Sequence, residues 1–338
     1  MSVSQEDALR ARLGRLIGDG LAACEAEIRH ELVASPVSLI RELGEYVALA
    51  GGKRLRPILL LLAARLAGGS PARAARLGCV VELLHTATLI HDDVVDRAPL
   101  RRGRRSANAC WGDDAAVLVG DHLYARCMAL LVADGDLRVM DALAAAMVSM
   151  TEAEVFQLER KRAGELTEAD YLRIIRQKTA TFISACCRIG GLAGGIDRAG
   201  VEALAAYGEH LGIAFQIIDD SLDFEADQAR LGKAVGADLR EGKRTLPLIA
   251  TLARAPAEER GRILAVLRHP GGDADGGPAD PDVREVHRLV KLYDGVGYAV
   301  SRAAAYAAEA TAQLDRFPPS EAREVLGLIA DYVVHRDR

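Results

Sequence analysis

The chain carries the pattern D-D-x-x-D twice, as Asp92-Asp93-Val94-Val95-Asp96 and as Asp219-Asp220-Ser221-Leu222-Asp223, each closing an apolar run. At 100° per residue, Asp96 lies about 40° from Asp92 and about 60° from Asp93, so on a helix the three carboxylates share one face. Like charges this close destabilise a helix unless a cation or nearby Arg and Lys offset them. One copy alone matches a solvated acidic face just as well. Two copies, each ending a buried-looking helix, require a fold that can tolerate two concentrated acidic helix ends.

Composition says what that fold is built from. Half of the 338 residues are hydrophobic but only 4% are aromatic, and Ala and Leu dominate the apolar set. That suits closely packed helices better than sheets. No linker-like break divides the first 265 residues, so one large domain over 1–338 is expected, with a flexible Gly/Pro/Asp loop at 269–282. The net charge is −5 and the arginines are scattered, which argues against nucleic acid as a partner. The six cysteines form no C-x-x-C pair and most sit in apolar helical stretches, the pattern of a reducing cytosol without disulfides or zinc. Met1 to Leu13 holds Glu6 and Asp7 and no apolar segment of signal-peptide length. No apolar run free of charge reaches 18 residues, so no membrane span is expected.

Along the chain, an amphipathic helical pattern runs from Gln5 to Leu49, breaks near Ser35-Pro36 and ends at Gly51-Gly52. Lys53-Arg54-Leu55-Arg56-Pro57 then leads into a helix at Ile58–Leu66; cations there oppose the helix dipole, so either they are solvated or an anion such as a phosphate group occupies that end. A long helix is expected over Ala72–Asp96, with Leu77, Val80, Val81, Leu84, Thr88 and Val95 packed. The loop Arg101-Arg102-Gly103-Arg104-Arg105 follows the first triad, and His85, about 20° off the face of Asp92, points toward the same site or into the core. Asp113-Asp114 lacks a third carboxylate and reads as a helix start. Helices are expected over Leu123–Leu158, Glu168–Ile189, Val201–Asp223, Val283–Leu314 and Ser320–Val334, with Gly190-Gly191 and Gly194-Gly195 forming a turn.

Acidic triads trailed by Lys or Arg describe a site for metal-bridged phosphates. Mg²⁺ is held by one or two carboxylates plus phosphate oxygens, which is what the triads offer. There is no Walker loop and no kinase signature, so phosphate serves better as leaving group than as transferred group. The apolar wall beside the first triad suits a hydrocarbon substrate.

On these residues the sequence resembles the trans-isoprenyl diphosphate synthases, nearest to the bacterial long-chain members that make octaprenyl diphosphate. The likeness rests on Gly52-Lys53-x-x-Arg56-Pro57, on His85 through Asp96 with Arg101-Arg102-Gly103, on Lys178-Thr179, on Phe215-Gln216-Ile217-Ile218-Asp219-Asp220-x-x-Asp223, on Gly232-Lys233-x-x-Gly236-x-Asp238 and on the closing His335-Arg336-Asp337-Arg338. At 243–247 the chain has Lys-Arg-Thr-Leu-Pro where such enzymes often have Lys-Pro-Thr-Leu-Pro, which keeps the lysine. The resemblance implies an all-α bundle of isoprenoid synthase type around a central cavity, a homodimer in the cytoplasm, and 1′-4 condensation of isopentenyl diphosphate onto an allylic diphosphate such as farnesyl diphosphate. It implies that Asp92, Asp93, Asp96, Asp219, Asp220 and Asp223 hold up to three Mg²⁺, with Arg101, Lys178 and Lys243 or Lys233 completing the clamp. Lys53, Arg56, His85 and Arg102 would bind isopentenyl diphosphate; Lys178-Thr179 and Gln216 would face the allylic cation. A terpene cyclase would carry a different second motif, a regulatory synthase subunit usually lacks both triads, and a plain scaffold would leave them solvated.

A product tail running toward the N-terminus of the first triad's helix would pass Thr88, Ala87, Leu84, Val81 and Val80. No Phe, Tyr or Trp occurs between Tyr46 and Trp111 to stop it, so a long product of about C40 for a quinone side chain is expected, with Ala87→Tyr shortening it. A shorter-chain synthase is the alternative. The tunnel floor would come from Met128, Leu131, Met147 or Phe156.

Overall fold

A computed structural model describes residues 3–48, 51–163, 166–225, 239, 242–268 and 281–335. Among these, the architecture is helical apart from one two-residue hairpin. Helices α1 (Val3–Val33) and α2 (Ser38–Ala48) open the chain, followed by α3 (Leu55–Leu66) and α4 (Pro71–Val95). The strands β1 (Leu100–Arg101) and β2 (Arg104–Arg105) precede α5 (Ala107–Trp111), α6 (Asp113–Asp134), α7 (Leu137–Ala163), α8 (Glu168–Ile175), a π-turn at 176–180, α9 (Thr181–Gly194) and α10 (Arg198–Glu225). The chain continues with α11 (Leu246–Arg254), α12 (Ala257–Arg268), α13 (Pro281–Leu292), α14 (Gly295–Gln313) and α15 (Glu321–His335).

α10 packs on α9 and α14, α9 on α3, and α4 on α1, α3 and α6. The closeness of α3 and α9 depends on Gly190. A Cβ there would stand 2.5 Å from the Leu60 carbonyl oxygen and 2.9 Å from the Ala64 nitrogen. Gly190-Gly191 is therefore interior to α9 rather than the expected turn, and the helix ends only at Gly195, which takes the left-handed conformation.

Other boundaries also moved. α3 begins three residues before the expected Ile58, at Leu55, which leaves Pro57 within the first turn, where its missing N–H removes no helical bond. The expected helix over Leu123–Leu158 breaks at Gly135, a left-handed C-cap, and the one over Val283–Leu314 breaks at Asp294. Val95, expected in the core, is 69% exposed, because α4 leaves the bundle in its last turn. The arginine-rich loop is the hairpin itself: Arg102 and Gly103 have φ of 53° and 75°, the pair of positive angles that a tight two-residue turn requires. Of the loop expected at 269–282, residues 269–280 lie outside the described residues, and Pro281 and Asp282 open α13. Helix α6 is long and apolar enough to cross a membrane by length and composition, yet it packs on α4 and ties Arg126 to the buried Glu31 of α1.

Gly190→Ala should unfold at lower denaturant than wild type, with a loss of about 1–3 kcal/mol, since the new methyl meets backbone that cannot step aside. Equilibrium urea unfolding followed by circular dichroism checks this; an unchanged midpoint would contradict the close approach.

Candidate active site

The π-turn packs against α10 and α7. Its residue Lys178 places Nζ 2.5 Å from Glu154 Oε1 on α7, and the charges of both are felt by Asp92. The next residue, Thr179, donates its hydroxyl to Gln216 Oε1 at 2.9 Å; Gln216 Nε2 donates to Asp220 Oδ1 at 2.8 Å, and Tyr171 donates to Asp220 Oδ2 at 2.7 Å. The second triad is thereby fixed through Asp220, with Asp219 exposed and Asp223 half-buried beside it. π-turns carry one extra residue per turn and recur at functional sites. Here the turn sets Lys178 within the field of Asp92 and Thr179 on Gln216.

Burial pushes the Asp92 carboxyl up to about 6; Lys178 pulls the other way, and Glu154 and Asp96 add to the rise. Asp93 is different. It is 2% exposed and accepts from Arg101 Nε at 2.7 and 2.8 Å, so it faces the hairpin rather than the open site. Burial raises its pKa and Arg101 opposes that. Asp93 is therefore the anchor of Arg101, and Asp92 and the exposed Asp96 are the open carboxylates of the first triad. The carboxylate oxygens of Asp92 and Asp96 are hard donors of the kind a divalent cation such as Mg²⁺ takes.

A second pocket is cationic. Arg56 lies over the Phe182 ring at 5.1 Å, and its buried Nε has no protein partner. Burial and the nearby Arg102 lower its pKa, although Cys186 and Glu82 raise it. Burial, then Arg56, Arg102, Arg101 and Arg54, hold the His85 imidazole well below its ordinary value, so His85 is neutral at physiological pH. Its ring lies 6.5 Å from Phe182. Arg102 donates to the carbonyl of Gly51, which brings the hairpin onto the loop that carries Lys53. An orphaned buried guanidinium N–H among four other cations is a site waiting for an anion.

Of the residues expected from sequence, Asp92, Lys178, Thr179, Gln216 and Asp220 are brought together, as are Arg56, His85 and Arg102. Lys53 is exposed beside the second set, and Lys243 is exposed two residues before the Thr245 cap of α11. Lys233, with Gly232, Gly236 and Asp238, lies outside the described residues. The Gln216 amide, expected to face a cation, is committed on both atoms to Thr179 and Asp220. Ala87 and Leu84 are buried, Ala87 to 1%, whereas Thr88 stays half-buried on the side of Asp92. Two floor candidates change role: Met128 is exposed, and Phe156 lies under Arg160 and Arg173 at 4.8 and 4.1 Å. Leu131 is buried and Met147 partly so. Glu154 and Tyr171 were missed, since each sits on a helix whose own pattern marks nothing. One further group of ligating side chains, Glu27, His30 and Glu31 on α1, is taken up by the Glu31–Arg126 pair.

Comparison with known proteins agrees with this geometry. Residues 37–275 match the polyprenyl synthetase family model. The chain is 36% identical to octaprenyl diphosphate synthase of Escherichia coli over 97% of its length and 99% of that enzyme. It is 38% identical to a geranyl-diphosphate-specific all-trans-nonaprenyl-diphosphate synthase of Rhodobacter capsulatus, over 88% of this chain and 89% of that one. The structure superposes with a TM-score of 0.89 on a Caulobacter crescentus polyprenyl synthase complexed with calcium and isoprenyl diphosphate, at 39% identity over 97% of this chain and 98% of that one.

Asp92→Asn should raise the stability of the metal-free protein near neutral pH while removing activity. The folded carboxyl titrates at about 6, above its unfolded value, so its contribution favours folding at low pH and is lost as pH rises through 6. Thermal melts in EDTA should show the variant ahead by about 1–3 kcal/mol near pH 8 and level with wild type near pH 4. A variant less stable at both would show that the carboxylate is satisfied by the protein. From the family match and these relatives, the chain belongs to the polyprenyl synthetase family and is a prenyltransferase that makes trans-prenyl diphosphates.

Proposed function

We propose that this enzyme is a long-chain trans-prenyl diphosphate synthase, adding isopentenyl diphosphate to an allylic primer to about C40, and that it works with Mg²⁺ as a cytoplasmic homodimer. The observation that carries the reading is the separation of an acidic set, around Asp92 and Asp220 with Lys178 and Thr179 beside it, from a cationic set around Arg56 and His85. Each set fits one of two diphosphates held differently.

Bound Mg²⁺ would supply positive charge at the allylic diphosphate as its C–O bond breaks and the electron pair leaves with it. Asp92, Asp96, Asp219 and Asp223 would hold that cation, with Lys178 and Lys243 contacting the diphosphate directly and Arg101 kept in place by Asp93. Arg56, Arg102 and Lys53 would grip isopentenyl diphosphate by charge-assisted hydrogen bonds, and neutral His85 would add one donor. The Thr179 hydroxyl oxygen, positioned by Gln216, would lie near the allylic carbon where positive charge develops. The isopentenyl double bond attacks that carbon, and the proton released passes to the departing diphosphate. Closure over the site would keep water from quenching the cation.

Thr88, not Ala87, is the better plug position. It lies about 40° from Asp92 around α4, against about 140° for Ala87. With farnesyl diphosphate, labelled isopentenyl diphosphate and Mg²⁺, wild type should give a product of about C40 and Thr88→Tyr one of about C15 to C20, whereas Ala87→Tyr should mainly lower stability. EDTA should stop turnover in all three. Chromatography of the dephosphorylated products reads the result, and a short wild-type product would overturn the chain length alone.

The homodimer is supported by a bare apolar face on α6 and α7, where Leu118, Tyr124, Val132, Val148 and Val155 are exposed. Leu118→Glu with Val132→Glu should shift sedimentation from dimer to monomer; a monomeric wild type would remove this part of the proposal.

A further inference from the structure

Val81-Glu82-Leu83-Leu84-His85 places a carboxylate inside the most apolar stretch of α4. Glu82 is 6% exposed, and a charge buried this deeply persists only when it is paired. Its Oε1 accepts from Arg54 Nη1 at 2.7 Å, and both side chains are nearly closed to solvent. Arg54 is the residue at which the chain turns into α3. It sits in the left-handed region, with φ 47° and ψ 33°, a conformation that disfavours every residue but glycine and asparagine-like ones. It forms the cap of α3 with no side-chain cap bond of its own. Lys53 directly precedes it and Arg56 follows two residues later, so the backbone angle at Arg54 sets where both cations point. The field of Glu82 also reaches Arg56 and Arg102.

We infer that Glu82 is a positioning residue of the isopentenyl diphosphate site: by holding Arg54 it fixes the left-handed turn that aims Lys53 and Arg56 at the diphosphate. This rests on the reading above that Lys53, Arg56, His85 and Arg102 form that site. A purely electrostatic role would have the opposite sign, because a carboxylate beside an anion site repels the ligand and its loss would tighten binding. The two roles are therefore separable by one affinity.

The test is isothermal titration calorimetry of isopentenyl diphosphate into the full chain, with thermal melts of each protein. Glu82→Gln should weaken binding roughly tenfold or more and raise KM for isopentenyl diphosphate without a matching rise for the allylic primer; Glu82→Asp should recover part of the loss. Glu25→Gln should change affinity less than about twofold, since that carboxylate is more exposed and 3.7 Å from Arg54 Nε. Glycine adopts the left-handed turn unaided, so in an Arg54→Gly background the further change Glu82→Gln should cost less than about threefold. That background also serves if Glu82→Gln alone fails to fold. Equal or tighter binding by Glu82→Gln, or an undiminished tenfold loss in the Arg54→Gly background, overturns the inference. A wild type that binds no isopentenyl diphosphate overturns the site assignment and this inference together, whereas binding by wild type with no response to Glu82→Gln overturns this inference alone.

Discussion

The site depends on one contact between the π-turn and α10, at a position where residue 212 has no side chain. A Cβ on Gly212 would lie 2.5 Å from the Cα of Ala180, so any larger residue would push the turn off the helix. Because the backbones touch, Thr179 reaches Gln216 one turn further along α10, and Gln216 reaches Asp220 one turn beyond that. Lys178, on the other side of the same turn, projects toward Glu154 and Asp92. The two triads lie on helices far apart in sequence, and the turn sets Lys178 where the first triad's Asp92 feels its charge and Thr179 on Gln216 beside the second.

Charge is distributed so that neither half of the site is neutral by itself. Along α4, burial raises the Asp92 carboxyl and lowers the His85 imidazole, and in each case neighbouring like charges add to the shift. A fold selected only for stability would interleave acids and bases there. Instead seven residues, about 10 Å of helix, separate a place where carboxylates outnumber Lys178 and Arg101 from a place where cations outnumber Glu82. Under the proposed function, a metal-bound diphosphate would offset the first and a bare diphosphate the second.

The triads, the helical class and the family motifs were legible because spacing encodes them: D-D-x-x-D puts its carboxylates on one face of a helix, its repetition argues against a solvated face, and Ala/Leu-rich amphipathic runs have few alternatives. What sequence did not show were the partners. Gly190-Gly191 reads as a turn because glycine marks both turns and close contacts, and the Leu60 carbonyl that decides between them is 130 positions away. Asp93 looks equivalent to Asp92 until the hairpin folds Arg101 back onto it. Glu154 and Tyr171 lie on α7 and α8 with no local signature, and only the packing of those helices on the π-turn gives them a place in the site. Val95 continues the apolar pattern of α4 past the point where the core ends.

Under the proposed function, the angular layout of α4 would let one helix serve two substrates without their colliding. Taking Asp92 as reference, His85, Leu89 and Glu82 lie about 20°, 60° and 80° to one side, and Val81, Thr88 and Leu84 about 20°, 40° and 80° to the other. The first side carries the groups tied to the cationic pocket, through His85 itself and through the Glu82–Arg54 pair. The second is aliphatic except for the Thr88 hydroxyl, which is turned inward onto the His85 carbonyl at 2.8 Å and so presents its methyl group outward. A hydrocarbon leaving the Asp92 end therefore has an apolar path only on the second side, away from the pocket where the next isopentenyl unit must bind. Growth by repeated addition requires that separation, because a tail lying over the cationic pocket would block the addition that follows it.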